Sequence, residues 1–171
     1  MVKNPETASL GFSLLVKTYQ ERIYWLIRRM VVNHEDTDDL VQETFLKVWK
    51  NIGNFKGRSA LFTWIYRIAT NEALGFLKSK KRKLIISFET LESHLSRSLN
   101  SDNYFTGDEI QKKLQQAIIK LPEKQRIVFN MKYFEELKFE EISAIMGTSV
   151  GALKANYHHA VKKIENFMRE N

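Results

Sequence analysis

Apolar positions recur along this 171-residue chain mostly at steps of three and four, the period of an amphipathic helix. Leu10, Leu14, Tyr19, Ile23, Leu26 and Ile27 carry that period through a first helix from about Thr7 to Val31. Asp36 or Thr37 caps a second helix reaching about Asn51, in which Val41, Phe45, Val48, Trp49 and Ile52 share one stripe. Residues 51–58 hold two glycines and read as a loop, and Ser59 caps a third helix that continues to the basic run near Lys80. Residues 84–107 are rich in Ser and Thr, lack sustained periodicity and read as a linker. Their apolar residues Ile85, Ile86, Phe88, Leu91, Tyr104 and Phe105 imply that this linker lies against something in use. Thr106–Glu109 has capping-box form and opens a helix to about Lys120, and Pro122 starts another that runs to about Phe134.

The last segment has the pattern of a helix-turn-helix. Glu140–Met146 is a short helix, Gly147 can take the positive φ of a sharp turn, and Ser149 caps the second helix. Along that helix Val150, Leu153, Tyr157, Val161, Ile164 and Phe167 form one buried stripe. The opposite face shows Gly151, Ala152, Lys154, Ala155, His158, His159 and Lys162, with no acid. Such a small, neutral-to-basic surface suits a DNA major groove, although an ordinary amphipathic hairpin shares the apolar pattern. The expected fold is all-α: two small helical domains, 7–83 and 108–171, joined by a flexible linker over 84–107, with the helix-turn-helix in the second.

Composition removes several classes of protein. There is no Cys, which excludes disulfides and thiolate metal sites. No apolar run approaches the roughly 18 residues of a membrane span, and the first residues lack the basic start and apolar stretch of a signal peptide. The expectation is a cytoplasmic protein with no membrane insertion. Net charge is +7, but its distribution says more. Residues 35–43 hold five acids and no base, whereas residues 44–83 hold ten bases and one acid. These blocks suggest a basic surface for nucleic acid beside an acidic surface for another partner.

Two patterns in the first domain carry candidate chemistry. Asp39, Gln42, Glu43 and Leu46 fall at i, i+3, i+4 and i+7, a stripe able to dock a partner helix bearing Arg and Lys. In the segment from Asn54 to Asn71, Phe55, Phe62, Trp64 and Tyr66 interleave with Lys56, Arg58 and Arg67. Rings stack on exposed bases at about 1–3 kcal/mol each while cations track the backbone. Phe62 and Trp64 also suit a core, whereas Phe55 sits in the loop. Nothing points to an enzyme. Phosphate-loop and HExxH motifs are absent, and His34 and His94 are isolated. His158 and His159 are neighbours and point about 100° apart on a helix, poorly placed to share a metal. No catalytic residue, metal, cofactor or small-molecule substrate is expected.

Together these motifs resemble a bacterial RNA polymerase sigma factor of the extracytoplasmic-function (ECF) class, over about residues 10–168. DTDDLVQETFLKVW is similar to the polymerase-binding region, NFKGRSALFTWIYRIATN to the segment that melts the −10 element, and LPEKQRIVFNMKYFEELKFEEISAIMGTSVGALKANYHHAVKKI to the domain that reads the −35 element. The resemblance implies that Asp39, Gln42, Glu43 and Leu46 face the β′ clamp helices of core RNA polymerase, with the β flap as a further contact. It implies that Phe55, Tyr66, Ile68 and Asn71 form or flank a pocket for a flipped base, within a melting segment that includes Lys56, Arg58 and Trp64. Lys154, Ala155, Asn156, His158, His159 and Lys162 would face the −35 element. Members of the class often carry Arg at the positions of Asn156 and His159, so the −35 sequence does not transfer from them. An anti-sigma partner is expected on the resemblance alone. A DNA-binding regulator that does not join polymerase accounts for the second domain but not for the acidic stripe or the aromatic-basic segment.

Overall fold

The computed structural model describes residues 5–83, 88–100 and 109–170, and within them it holds eight α-helices and no strand. They are α1 (Pro5–Val31), α2 (His34–Asn51), α3 (Leu61–Lys83), α4 (Phe88–Asn100), α5 (Glu109–Ile119), α6 (Glu123–Tyr133), α7 (Phe139–Met146) and α8 (Val150–Glu170). Pro5 opens α1 at a position where a missing N–H costs nothing. Its inner face buries Ile23, Leu26, Ile27, Met30 and Val31. Leu10 and Leu14, expected on that face, stand 74% and 66% exposed instead.

The α1–α2 corner is tight. Val32 takes φ 66°, the left-handed region that a β-branched residue enters only at a cost of about 1–3 kcal/mol. Its side chain is fully buried against Leu95, Leu99 and Ile119, which offsets that strain. Asn33, rather than Asp36 or Thr37, caps α2, its Oδ1 accepting from the Asp36 N–H at 2.9 Å. The acids Glu35 and Asp36 therefore occupy the first turn, where the helix dipole favours them. At α3 the carbonyl of Ala60 accepts the first intrahelical bond, from Trp64 N, so Ser59 lies one residue too early to cap.

One expectation about the chain's organisation changes. The linker contains a helix, α4, whose Leu95 and Leu99 lie one turn apart and are buried with Val32 and Ile119. The expected capping box at Thr106 falls within residues 101–108, outside the described ones. The two helical units pack directly against each other. Ile23, Ile27, Met30, Ile65 and Tyr66 of the first belong to one continuous core with Ile127, Met131, Leu137, Ile142, Ile145 and Leu153 of the second. In the second unit Gly147 does end α7 in the left-handed region (φ 65°, ψ 28°), its N–H returning to Ser143 O at 2.9 Å. Ser149 Oγ then accepts from Ala152 N at 3.4 Å, and Leu153, Ala160 and Ile164 anchor α8.

Candidate nucleic-acid interface

Three surfaces hold the residues singled out by sequence. The first lies on α2, where Asp39, Gln42, Glu43 and Leu46 lie along one side, all four exposed. Leu46 is 51% exposed and Trp49 45%. The stripe pattern places Trp49 in the core, but α2 rotates it to the rim, where its ring meets Phe12 edge-on at 4.8 Å. With Ser9, Ser13, Gln42 and Phe45 these residues line an open groove of about 430 Å³ between α1 and α2. An apolar floor beside two carboxylates is shaped for a basic amphipathic helix.

The second surface surrounds Trp64. Trp64, Ile68 and Asn71 project from successive turns of α3 and line a cleft of about 320 Å³ with Lys47, Asn51, Asn54 and Glu72. Lys47 Nζ lies 2.6 Å from Glu72 Oε2, so a fixed donor and acceptor stand side by side at its edge. Phe55 tilts against Trp64, with ring centroids 5.2 Å apart. Lys56 and Arg58 are exposed on the adjoining loop, where Gly57 takes φ 65°. A cleft with an indole wall, carboxamides and an ion pair offers stacking together with polar edge recognition, the two requirements of an unstacked base. Sequence reading missed Lys47, Asn51, Asn54 and Glu72. The signal was available in Asn51, Asn54 and Asn71, carboxamides clustered where the turn at Ile52–Asn54 meets α3.

Tyr66 does not join this cleft. It is fully buried, and its hydroxyl donates to Glu135 Oε2 of the second unit at 2.8 Å. Burial, then the neighbouring Glu135 carboxylate, pushes its phenol well above the ordinary range. In this arrangement the ring faces protein, because α3 turns that side toward the second unit.

The third surface is the outer face of α8. Lys154, Ala155, His158, His159 and Lys162 are exposed, while Leu153 beneath them is fully buried. Asn156 is only half-buried, and its Nδ2 donates to Ala152 O at 2.8 Å, so its amide hydrogens are partly spent on its own helix. The Lys154 ammonium lies 6.0 Å from the centre of the Phe139 ring, which draws its stem toward α7. Phe129 stacks on Tyr157 at 5.9 Å and fixes the roll of α8 about its axis. Among the described residues no cluster of His, Asp or Glu is gathered for a metal, and no helix is long and apolar enough to cross a membrane.

Comparison with known proteins meets these three surfaces. Residues 15–83 match the family Sigma-70 region 2, and residues 111–164 match Sigma-70, region 4. The RNA polymerase sigma-H factor of Pseudomonas aeruginosa is 34% identical over 167 residues, covering 93% of this chain and 86% of its own. The ECF RNA polymerase sigma-E factor of Escherichia coli K12 is 34% identical over 164 residues, with 91% and 85% covered. Two solved structures share the fold. The sigma factor RpoE of Bartonella quintana, in complex with the anti-sigma factor NepR, aligns with a TM-score of 0.72 at 18% identity, over 93% of this chain and 97% of that one. CnrH, in complex with the cytosolic domain of CnrY, aligns with a TM-score of 0.69 at 21% identity, over 97% and 94%. The chain belongs to the extracytoplasmic-function class of the sigma-70 family, whose members direct promoter-specific initiation of transcription.

Proposed function

We propose that the tasks of a sigma factor fall on the three surfaces just described. The α2 stripe of Asp39, Gln42, Glu43 and Leu46, with the apolar groove beside it, docks the β′ clamp helices of core polymerase. The cleft around Trp64, with Phe55, Ile68 and Asn71, takes a base flipped from the −10 strand, while Lys56 and Arg58 follow the backbone. The outer face of α8 enters the major groove at the −35 element. Lys154, Ala155, His158 and His159 meet base edges there, and Lys162 meets phosphate. The single observation that carries this reading is the cleft. It joins three residues expected from the melting segment to four polar ones from α2, its following turn and α3, at a size fit for one base.

The solved RpoE is bound by the anti-sigma factor NepR, and the same kind of regulator is the expected partner here. Such a protein would seat on the apolar groove and exclude polymerase. The protein supplies an address, and the polymerase supplies the catalysis. Transcription in vitro with core polymerase tests this. Asp39→Ala together with Gln42→Ala changes no core position and should lower polymerase affinity and promoter-specific transcript together, leaving the circular dichroism spectrum unchanged. Normal polymerase affinity in that variant removes the α2 stripe from the docking surface.

A further inference from the structure

The carboxylate at the edge of the Trp64 cleft is only half used. Lys47 Nζ lies 2.6 Å from Glu72 Oε2, and the same ammonium lies 3.9 Å from Glu43 Oε1. The Glu72 side chain is 19% exposed and lines the cleft. Among the described residues its other oxygen, Oε1, has no hydrogen-bond partner. Asn51 adds a second acceptor. Its Nδ2 donates to Lys47 O at 2.8 Å, and only the amino end of a carboxamide can face a carbonyl. Its Oδ1 is therefore the end left for a ligand.

The fixed polar groups of the cleft are thus two acceptors and one donor, and that donor, Lys47, is held between two carboxylates. Asn54 and Asn71 are exposed carboxamides that can turn either end inward. A ligand meeting this wall gains by bringing N–H groups. One that brings carbonyls sets oxygen against oxygen and leaves the acceptors unpaired. Unstacked bases divide on this chemistry. Adenine, cytosine and guanine each carry an exocyclic amino group. Thymine has none, and its pairing edge sets O2 and O4 on either side of a single N3–H.

On the reading of this cleft as a flipped-base pocket, we propose that Glu72 is its specificity determinant: with Asn51 Oδ1, the open oxygen of Glu72 accepts from the exocyclic amino group of the base, so the cleft admits adenine, cytosine or guanine and turns thymine away. Lys47 pins Oε2 and so aims Oε1, while Trp64 supplies a ring face for stacking. A carboxylate, unlike a carboxamide, cannot rotate a donor toward the base. The exclusion is therefore one-sided, built from a repulsive element as much as an attractive one.

Holoenzyme formed with the full chain tests this on promoter DNA carrying a mismatched bubble across the −10 element. Each non-template position of the bubble holds adenine, cytosine, guanine, thymine or an abasic sugar in turn, and binding is titrated. One position should lose affinity when made abasic in the parent but not in Trp64→Ala, which marks the base held in the cleft. At that position thymine should bind about tenfold more weakly than the best amino-bearing base. Glu72→Gln keeps the shape, adds a donor and should shrink the penalty to under about threefold. The four-base comparison in the parent needs no change at Glu72 and carries the test if Glu72→Gln loses helical structure. Thymine bound as well as the amino-bearing bases at the marked position, or an unchanged penalty in a folded Glu72→Gln, overturns the role of Glu72 and leaves the cleft reading standing. If no position depends on Trp64, the cleft holds no base and both readings fall.

Discussion

The same chemical change, Leu→Ala, should have opposite consequences at Leu99 and at Leu46. Leu99 is fully buried and packs with Val32, Leu95 and Ile119, joining α4 to α5 and to the α1–α2 corner. Truncation removes three carbons, worth about 2.4 kcal/mol of transfer free energy. A residual cavity of roughly 25 Å³ adds about 0.6 kcal/mol. The expected loss is therefore about 3 kcal/mol, a large part of a typical domain's stability. Leu46 is half in solvent, so its truncation should move stability by less than about 0.5 kcal/mol. It removes an apolar knob from the groove lined by Phe12 and Trp49, however, and should weaken core-polymerase binding about tenfold. Urea unfolding followed by circular dichroism measures the first effect, and titration of labelled protein with core polymerase measures the second. Because the core runs through both units, unfolding should show one transition with an unchanged denaturant slope. A loss below about 1 kcal/mol for Leu99→Ala would mean that α4 is not docked as described.

Three further outcomes concern the sites. Trp64→Ala opens one wall of the cleft, so holoenzyme should still form and bind duplex promoter but open it poorly; equal defects on a duplex and on a template with a mismatched bubble would exclude a role in melting. Lys154→Ala should cost about 1–3 kcal/mol on the preferred −35 sequence and narrow the gap between good and poor sites. Lys162→Ala should weaken all sites alike and lower the salt dependence, and binding to a panel of −35 variants at two salt concentrations separates the two effects. The Tyr66 phenol is raised above its ordinary value near 10, so its neutral form favours the folded state. That contribution is fully present below about pH 10 and is lost as pH climbs from there toward the raised folded value. Melting temperatures between about pH 9 and 11 should therefore fall faster for the parent than for Tyr66→Phe, and parallel curves would contradict the buried hydroxyl.

Much of the fold was legible because amphipathic spacing is a local property. The helix-turn-helix could be read from Gly147, Ser149 and the stripe from Val150 to Phe167, all within one segment. The α4 helix was not legible in the same way. Ser93, Ser96 and Ser98 dilute its helical character, and its signal is the spacing of Leu91, Leu95 and Leu99 alone. The shared core was hidden for a different reason. A stripe such as Ile23, Ile27 and Met30 says that α1 buries a face, not which helix covers it. Tyr66 shows the same gap from the side of function. Its place among aromatics and bases suggested DNA, while its partner, Glu135, lies 69 residues away. Asn51 and Asn54 needed the turn at Ile52–Asn54 before they could be seen to converge on Trp64.

The separation in sequence between α1 and the helices that cover it also sets a schedule for synthesis. Arg29 and its partner Glu135 are 106 residues apart. At about 5–20 residues per second, α1 leaves the ribosome roughly 5–20 seconds before that partner is made. During that interval α1, α2 and α3 can assemble, but the side of α1 and α3 meant for α6 and α7 stays bare. The nascent chain therefore presents an apolar face bordered by Arg22 and Arg29, the kind of surface that chaperones hold, and only the last helices to emerge retire it.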